Sequence, residues 1–256
     1  MWIDIHAHLY DTPQHELHAL TERAKKNGVT LIVNTPTNIK TAHTVLSQSE
    51  HEPSLACTAG ISAFDVVNLP ENWKHELESL LASKKFIGVG EIGIDKTNPL
   101  YPKFETQLPV FTHQLEAARR HNIPAIIHSR GVEQQAIDLC KTLNLAKALF
   151  HCFTGDKTSL KNLLDAGYHV SYSGIVTFQN NPLEELVRYT PLEQLFIETD
   201  SPYLAPHPFR GKTNEPAYVT YVGEKIAEIK KIPADEVAAK IRGNFEKLFG
   251  IKKVNS

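Results

Sequence analysis

The sequence predicts an α/β fold, a (β/α)8 TIM barrel, and three observations lead there. Eight short apolar, β-branched segments recur along the chain. Helical patterns separate them without a break in composition, and several end in a histidine or a carboxylate. A chain of 256 residues, 41% hydrophobic and 22% charged, suits one such barrel, which commonly runs to about 250 residues. The expected organisation is therefore one domain over residues 1–256.

Taken in order, the predicted strands are Trp2 to His6, Thr30 to Asn34, Leu55 to Ile61 and Phe86 to Glu91, then Ala125 to His128, Ala148 to His151, Tyr168 to Tyr172 and Leu195 to Thr199. After the first, Thr12 is the expected N-cap with Pro13 at the first helical position, and Gly28 follows the end of that helix. Trp73, Leu77, Leu80 and Leu81 repeat at helical spacing after the third strand, and Phe111, Leu115 and Ala118 after the fourth. Asp156 or Thr158 can cap a helix carrying Leu160, Leu163 and Leu164. Val237, Ile241 and Leu248 line a final helix. The competing architecture, an open doubly wound sheet, most often carries a Gly-rich phosphate turn after its first strand. That turn here reads His8-Leu9-Tyr10-Asp11-Thr12.

Charge and cysteine usage narrow the function classes. Lys and Arg number 27 against 29 Asp and Glu, a formal net charge of -2, so no global field draws the molecule to duplex DNA or an anionic membrane. Any nucleic-acid site must be local. Cys57, Cys140 and Cys152 form no C-x-x-C pair and are odd in number, which fits a reducing compartment. No apolar run reaches the ~18 residues of a membrane span, and the N-terminus lacks the pattern of an export signal. A cytoplasmic protein, with no membrane and no obligate protein partner, is expected.

The chemistry gathers at strand ends. In Asp4-Ile5-His6-Ala7-His8 a strand's period of two points His6 and His8 to one side, within reach of one ion. Glu91 ends the fourth predicted strand, His128 the fifth and His151 the sixth, and Asp200 follows the eighth. In a parallel barrel those ends share the rim where active sites are built. Imidazoles and carboxylates suit divalent zinc, manganese or similar ions. Six ligands exceed the needs of one tetrahedral ion, and two ions roughly 3.5–4 Å apart, a set that activates water in phosphoester cleavage, account for them. Arg130, two residues beyond His128, and Arg210 and Lys212 in the loop after the eighth strand can hold phosphate oxygens. His15, His18, His43, His51, His75, His113, His121 and His169 read as structural or surface residues, and His207 is left open.

The motif set resembles the TatD-type metal-dependent deoxyribonuclease family. The matching stretches are Asp4-x-His6-x-His8-Leu9, Gly90-Glu91-Ile92-Gly93-Ile94-Asp95, Pro124-x-Ile126-Ile127-His128-x-Arg130 and His151-Cys152-Phe153-Thr154-Gly155. Glu198-Thr199-Asp200-Ser201-Pro202, the Arg210-Gly211-Lys212-x-Asn214-Glu215-Pro216 loop and Asn244 with Leu248-Phe249-Gly250 continue the series. The resemblance implies a barrel metallohydrolase with two divalent cations (Zn, Mn, Mg or similar). His6, His8, Glu91 and Asp200 would hold one and Glu91, His128 and His151 the other. It also implies hydrolysis of DNA from the 3′ end, with Glu91 and Asp200 as catalytic residues and Asn214 beside Arg130, Arg210 and Lys212 at the substrate; single-stranded ends are the expected substrate, because a narrow barrel mouth does not readily admit a duplex. The chain departs from the family pattern at Tyr10, Ser62, Phe64 and Lys96, positions around the expected nucleotide site.

Two other readings share these residues. The same metal site could hydrolyse an ester or amide, as in deacylation of a mischarged transfer RNA, although amidohydrolases often place a bridging lysine where Glu91 stands. A nucleic-acid-binding protein without catalysis is the third, and all six candidate ligands weigh against it.

Overall fold

The computed structural model describes residues 1–67 and 69–251. Among these, eight parallel strands follow one another in sequence order around a single sheet: β1 (Trp2–Ala7), β2 (Val29–Asn34), β3 (Leu55–Ala59), β4 (Phe86–Asp95), β5 (Ala125–Arg130), β6 (Ala148–Phe150), β7 (His169–Tyr172) and β8 (Leu195–Ile197). The two edges meet at one bridge, Ala7 with Ser201. An open doubly wound sheet is thereby excluded, since its strand order reverses and its edges stay apart.

Helices α1 (Gln14–Lys26), α2 (Ile39–His51), α3 (Trp73–Ala82), α4 (Phe104–His121), α5 (Glu133–Thr142), α6 (Lys157–Asp165), α7 (Glu184–Tyr189), α8 (Val219–Lys230) and α9 (Ala234–Phe249) occupy the connections. They cover the sheet from outside while side chains fill it from within, so most strands are buried on both faces. The apolar run of each strand follows from that double cover. The amphipathic spacing read from sequence is the inward stripe of the helices: Leu77, Leu80 and Leu81 of α3 are buried, as are Leu160, Leu163 and Leu164 of α6. Asp156 caps α6 by accepting from the Ser159 amide at 2.7 Å, and Thr158 lies inside the helix.

Several boundaries move. α1 begins at Gln14, with Pro13 itself in the cap position and no side-chain cap bond. Thr12 is instead held in a turn, its amide bonded to the Leu9 carbonyl and its own carbonyl accepting from Gln48. β4 runs four residues past Glu91 because pairing with β5 resumes beyond an irregularity: Val89 faces Ala125, but Ile92 faces Ile127. The extra residue is a bulge, a device that re-aims a side chain, and Glu91 sits in it. β5 also extends, to Arg130, whereas β6 and β8 stop at Phe150 and Ile197, so His151 and Asp200 lie on the turns that follow.

Candidate metal centre at the barrel mouth

β1 delivers His6, the residue after Ala7 is His8, and the β4 bulge carries Glu91 across to them. Asp200 arrives on the turn after β8, its amide donating to the His6 carbonyl at 3.0 Å. The four donors converge tightly. His6 Nε2 lies 3.1 Å from His8 Nε2, 3.4 Å from Glu91 Oε2 and 3.8 Å from Asp200 Oδ1. His8 Nε2 lies 3.3 Å from the same Glu91 oxygen and 3.5 Å from the same Asp200 oxygen. Tetrahedral ligands about 2.0–2.1 Å from an ion stand about 3.3 Å from one another. His6, His8 and Glu91 therefore form one group that fits a divalent cation, and Asp200 joins His6 and His151 in an adjoining one.

A further set shares the Glu91 carboxylate. Its Oε1 lies 3.8 Å from His128 Nδ1 and its Oε2 3.9 Å from His151 Nε2. His151 also stacks on His6, ring centroids 3.9 Å apart, so the two sets adjoin.

The imidazole hydrogen bonds fit ligation as well. Thr35 O faces His8 Nδ1 at 2.9 Å and accepts its proton in a hydrogen bond, so that once the ring is neutral Nε2 offers its lone pair to the cluster. Asp95 Oδ2 takes His128 Nε2 at 3.0 Å, freeing Nδ1 toward Glu91. Glu198 Oε1 stands 3.4 Å from His151 Nδ1, while His151 Nε2 is buried with no hydrogen-bond partner. Backing a ligating imidazole with a carboxylate or carbonyl is the usual way its orientation is fixed.

Electrostatics agree that the cluster calls for positive charge. Burial opposes charge on Glu91, yet His6 and His8 hold its carboxyl well below the usual range. Burial likewise opposes a proton on His8, but Asp200 and Glu91 raise it well above the ordinary imidazole value. His128 is raised against burial by Asp95 and Glu91. Burial lowers His151 to about 4, so it stands neutral.

All six expected ligands, His6, His8, Glu91, His128, His151 and Asp200, are thus brought together. Of the expected phosphate groups, the two cations of the loop after β8, Arg210 and Lys212, are not. Arg130 is half-buried at the rim, with Nε buried and unpartnered, and its Nη2 reaches only Cys152 Sγ at 3.9 Å. Arg210 is exposed and stacked on Phe178, 3.6 Å from the ring centroid, and Lys212 is exposed near Phe209. Neither lines the cavities that reach the donor set. Asn214 is buried. Its Nδ2 donates to the carbonyls of Thr199 and Tyr203 and its Oδ1 accepts from the Glu215 amide, so its polar atoms tie down the loop while the residue borders a cavity that reaches His8.

Two cavities flank the donors. One of 590 Å³ is bounded by His8, Glu91, Ser62, Phe64 and Tyr101. The other, of 510 Å³, runs from His8 past Asp11 and Ser201 toward Arg23 and Glu215. Asp95 and Glu198 are site residues that the sequence reading missed. Glu198 stands two residues before Asp200, whose φ is +56, and Asp95 four residues after Glu91 across the bulge, so no unbroken strand alternation points to either.

Comparison with known proteins adds an independent result. The family model described as TatD related DNase matches residues 3–250. A protein of Bacillus subtilis (strain 168) named an uncharacterized metal-dependent hydrolase, YabD, is 34% identical over 258 residues, covering 98% of this chain and 100% of the relative. The 3'-5' ssDNA/RNA exonuclease TatD of Escherichia fergusonii is 30% identical over 240 residues, covering 91% and 92%. Among solved structures, the TatD homologue YjjV of Escherichia coli K12 superposes with a TM-score of 0.92 at 27% identity, covering 98% of both chains.

Proposed function

The chain belongs to the TatD related DNase family of metal-dependent hydrolases, and on that premise we propose that its mouth hydrolyses phosphodiester bonds, trimming single-stranded DNA from the 3′ end. The observation that carries this reading is the placement of Glu91, whose carboxylate faces two imidazole sets at once. Such a carboxylate suits two divalent cations, His6, His8, Glu91 and Asp200 holding one and Glu91, His128 and His151 the other. When bound, these ions supply water activation and charge neutralisation at phosphorus. The relative named as a single-strand exonuclease supports the choice of substrate.

The chain's own groups do the rest. Asp200 is held ionised by His8 and His6 against the effect of burial. It takes the proton of the attacking water as the new oxygen–phosphorus bond forms, and returns it to the departing sugar oxygen. Arg130, whose guanidinium has no carboxylate partner among the described residues, steadies a non-bridging phosphate oxygen. Arg210 and Lys212, farther out, meet the strand rather than the scissile phosphate. One domain, residues 1–256, carries the whole reaction in the cytoplasm. No described helix is long and apolar enough to cross a membrane.

The decisive test is metal analysis with cleavage of end-labelled single-stranded DNA in manganese or magnesium, on wild type and Glu91→Ala. Loss of both metal and at least a hundredfold in rate is expected, because each cation site loses a ligand. Normal activity in Glu91→Ala removes it from the site, and folded wild type inert with every metal ends the nuclease reading. Offering an aminoacyl ester under the same conditions separates phosphodiester from acyl chemistry.

A further inference from the structure

The cavity that contains Glu91 has a second wall unrelated to metal binding. Phe64 leaves 53% of its surface exposed at the edge of that cavity. Its ring meets Tyr101 edge-on, centroids 5.5 Å apart at 70°. Tyr101 in turn lies nearly parallel to His128, 6.0 Å away and tilted by 16°. An aromatic step thus leads from the donor cluster into the cavity. At its side Ser62, 3% exposed, is among the residues bounding the same cavity, and its hydroxyl is buried without a hydrogen-bond partner. A buried hydroxyl left unpartnered costs stability unless a ligand completes it.

We propose that Phe64, Tyr101 and Ser62 form a seat for one unpaired nucleobase of the substrate, next to the scissile phosphate, and this rests on the nuclease reading above. The aromatic faces accept any base by stacking, and the Ser62 hydroxyl meets a polar atom on its edge. A base can enter only when lifted out of a duplex, so the seat selects single strands. The geometry also explains how a chain of net charge -2 holds a polyanion: stacking supplies affinity that charge does not.

Two measurements test it. Saturation-transfer NMR on the metal-loaded protein should show contact with deoxyadenosine and none with 2-deoxyribose. The contact should vanish in Phe64→Ala and return in Phe64→Trp, with thermal melting confirming that both variants fold. In parallel, DNA whose terminal residue is abasic should be cut about tenfold less efficiently in kcat/KM than DNA with a terminal base. That ratio should fall to about one in Phe64→Ala. Equal nucleoside contact in wild type and Phe64→Ala, or equal cleavage of both ends by wild type, overturns the base seat. If wild type contacts the nucleoside through Phe64 but cuts neither DNA, the hydrolytic reading fails and the seat stands.

Discussion

Asp95 touches no proposed ion, yet it decides which nitrogen of His128 faces Glu91. Asp95→Asn keeps the shape but can donate toward the ring instead of accepting from it, and should weaken metal binding by about 10–100-fold, read by titration with a chelating indicator. The pH response follows from the same residues. Without metal, His8 and His128 hold protons more firmly than free imidazole, because their carboxylate neighbours outweigh burial. Metal uptake must expel those protons, so affinity should fall as pH drops, and calorimetry in buffers of different ionisation enthalpy should report proton release. The six candidate ligands were legible because each stands at or just beyond a predicted strand. Asp95 was not, because its place depends on a strand that continues past Glu91, and that continuation is set by the partner strand β5. The loop residues Arg210, Lys212 and Asn214 carry no such period, and only the folded loop shows that Asn214 points inward.

At the level of elements, the helix spacing and the Asp156 cap were readable from local sequence, since both depend on residues within one turn. Asp156→Ala should lower stability by about 1 kcal/mol in urea unfolding while leaving metal content intact. Gly93 offers the contrast. It sits at φ +154, and a Cβ there would lie 1.9 Å from the His128 carbonyl oxygen, so β4 and β5 approach as only glycine permits. Gly93→Ala must push the strands apart beside a proposed ligand. Loss of both melting temperature and metal is expected, and normal retention of metal would show that the approach does not set His128. The Glu91 bulge was invisible beforehand because a bulge is a property of two strands in register, not of either sequence alone.

Across the whole molecule the strand count, order and closure followed from the alternation of patterns, but the uneven strength of the ring did not. Seven neighbouring strand pairs form ladders, whereas β8 and β1 share the Ala7–Ser201 bridge and side-chain bonds from Asp4, which accepts from the Thr199 amide at 2.8 Å and from its hydroxyl at 2.5 Å. Asp4→Ala leaves a buried amide unpaired there and should cost roughly 1–3 kcal/mol, with amide hydrogen exchange accelerating first along β1. The proposed ligands His6 and His8 come from one side of this join and Asp200 from the other. A bound cation would rivet the first and last turns of the ring together, adding about 2.7 kcal/mol at a hundredfold excess over Kd. Chelation should then loosen β1 and the turn that carries Asp200 before the middle strands, so an ion bound at the mouth would serve closure of the ring as well as chemistry.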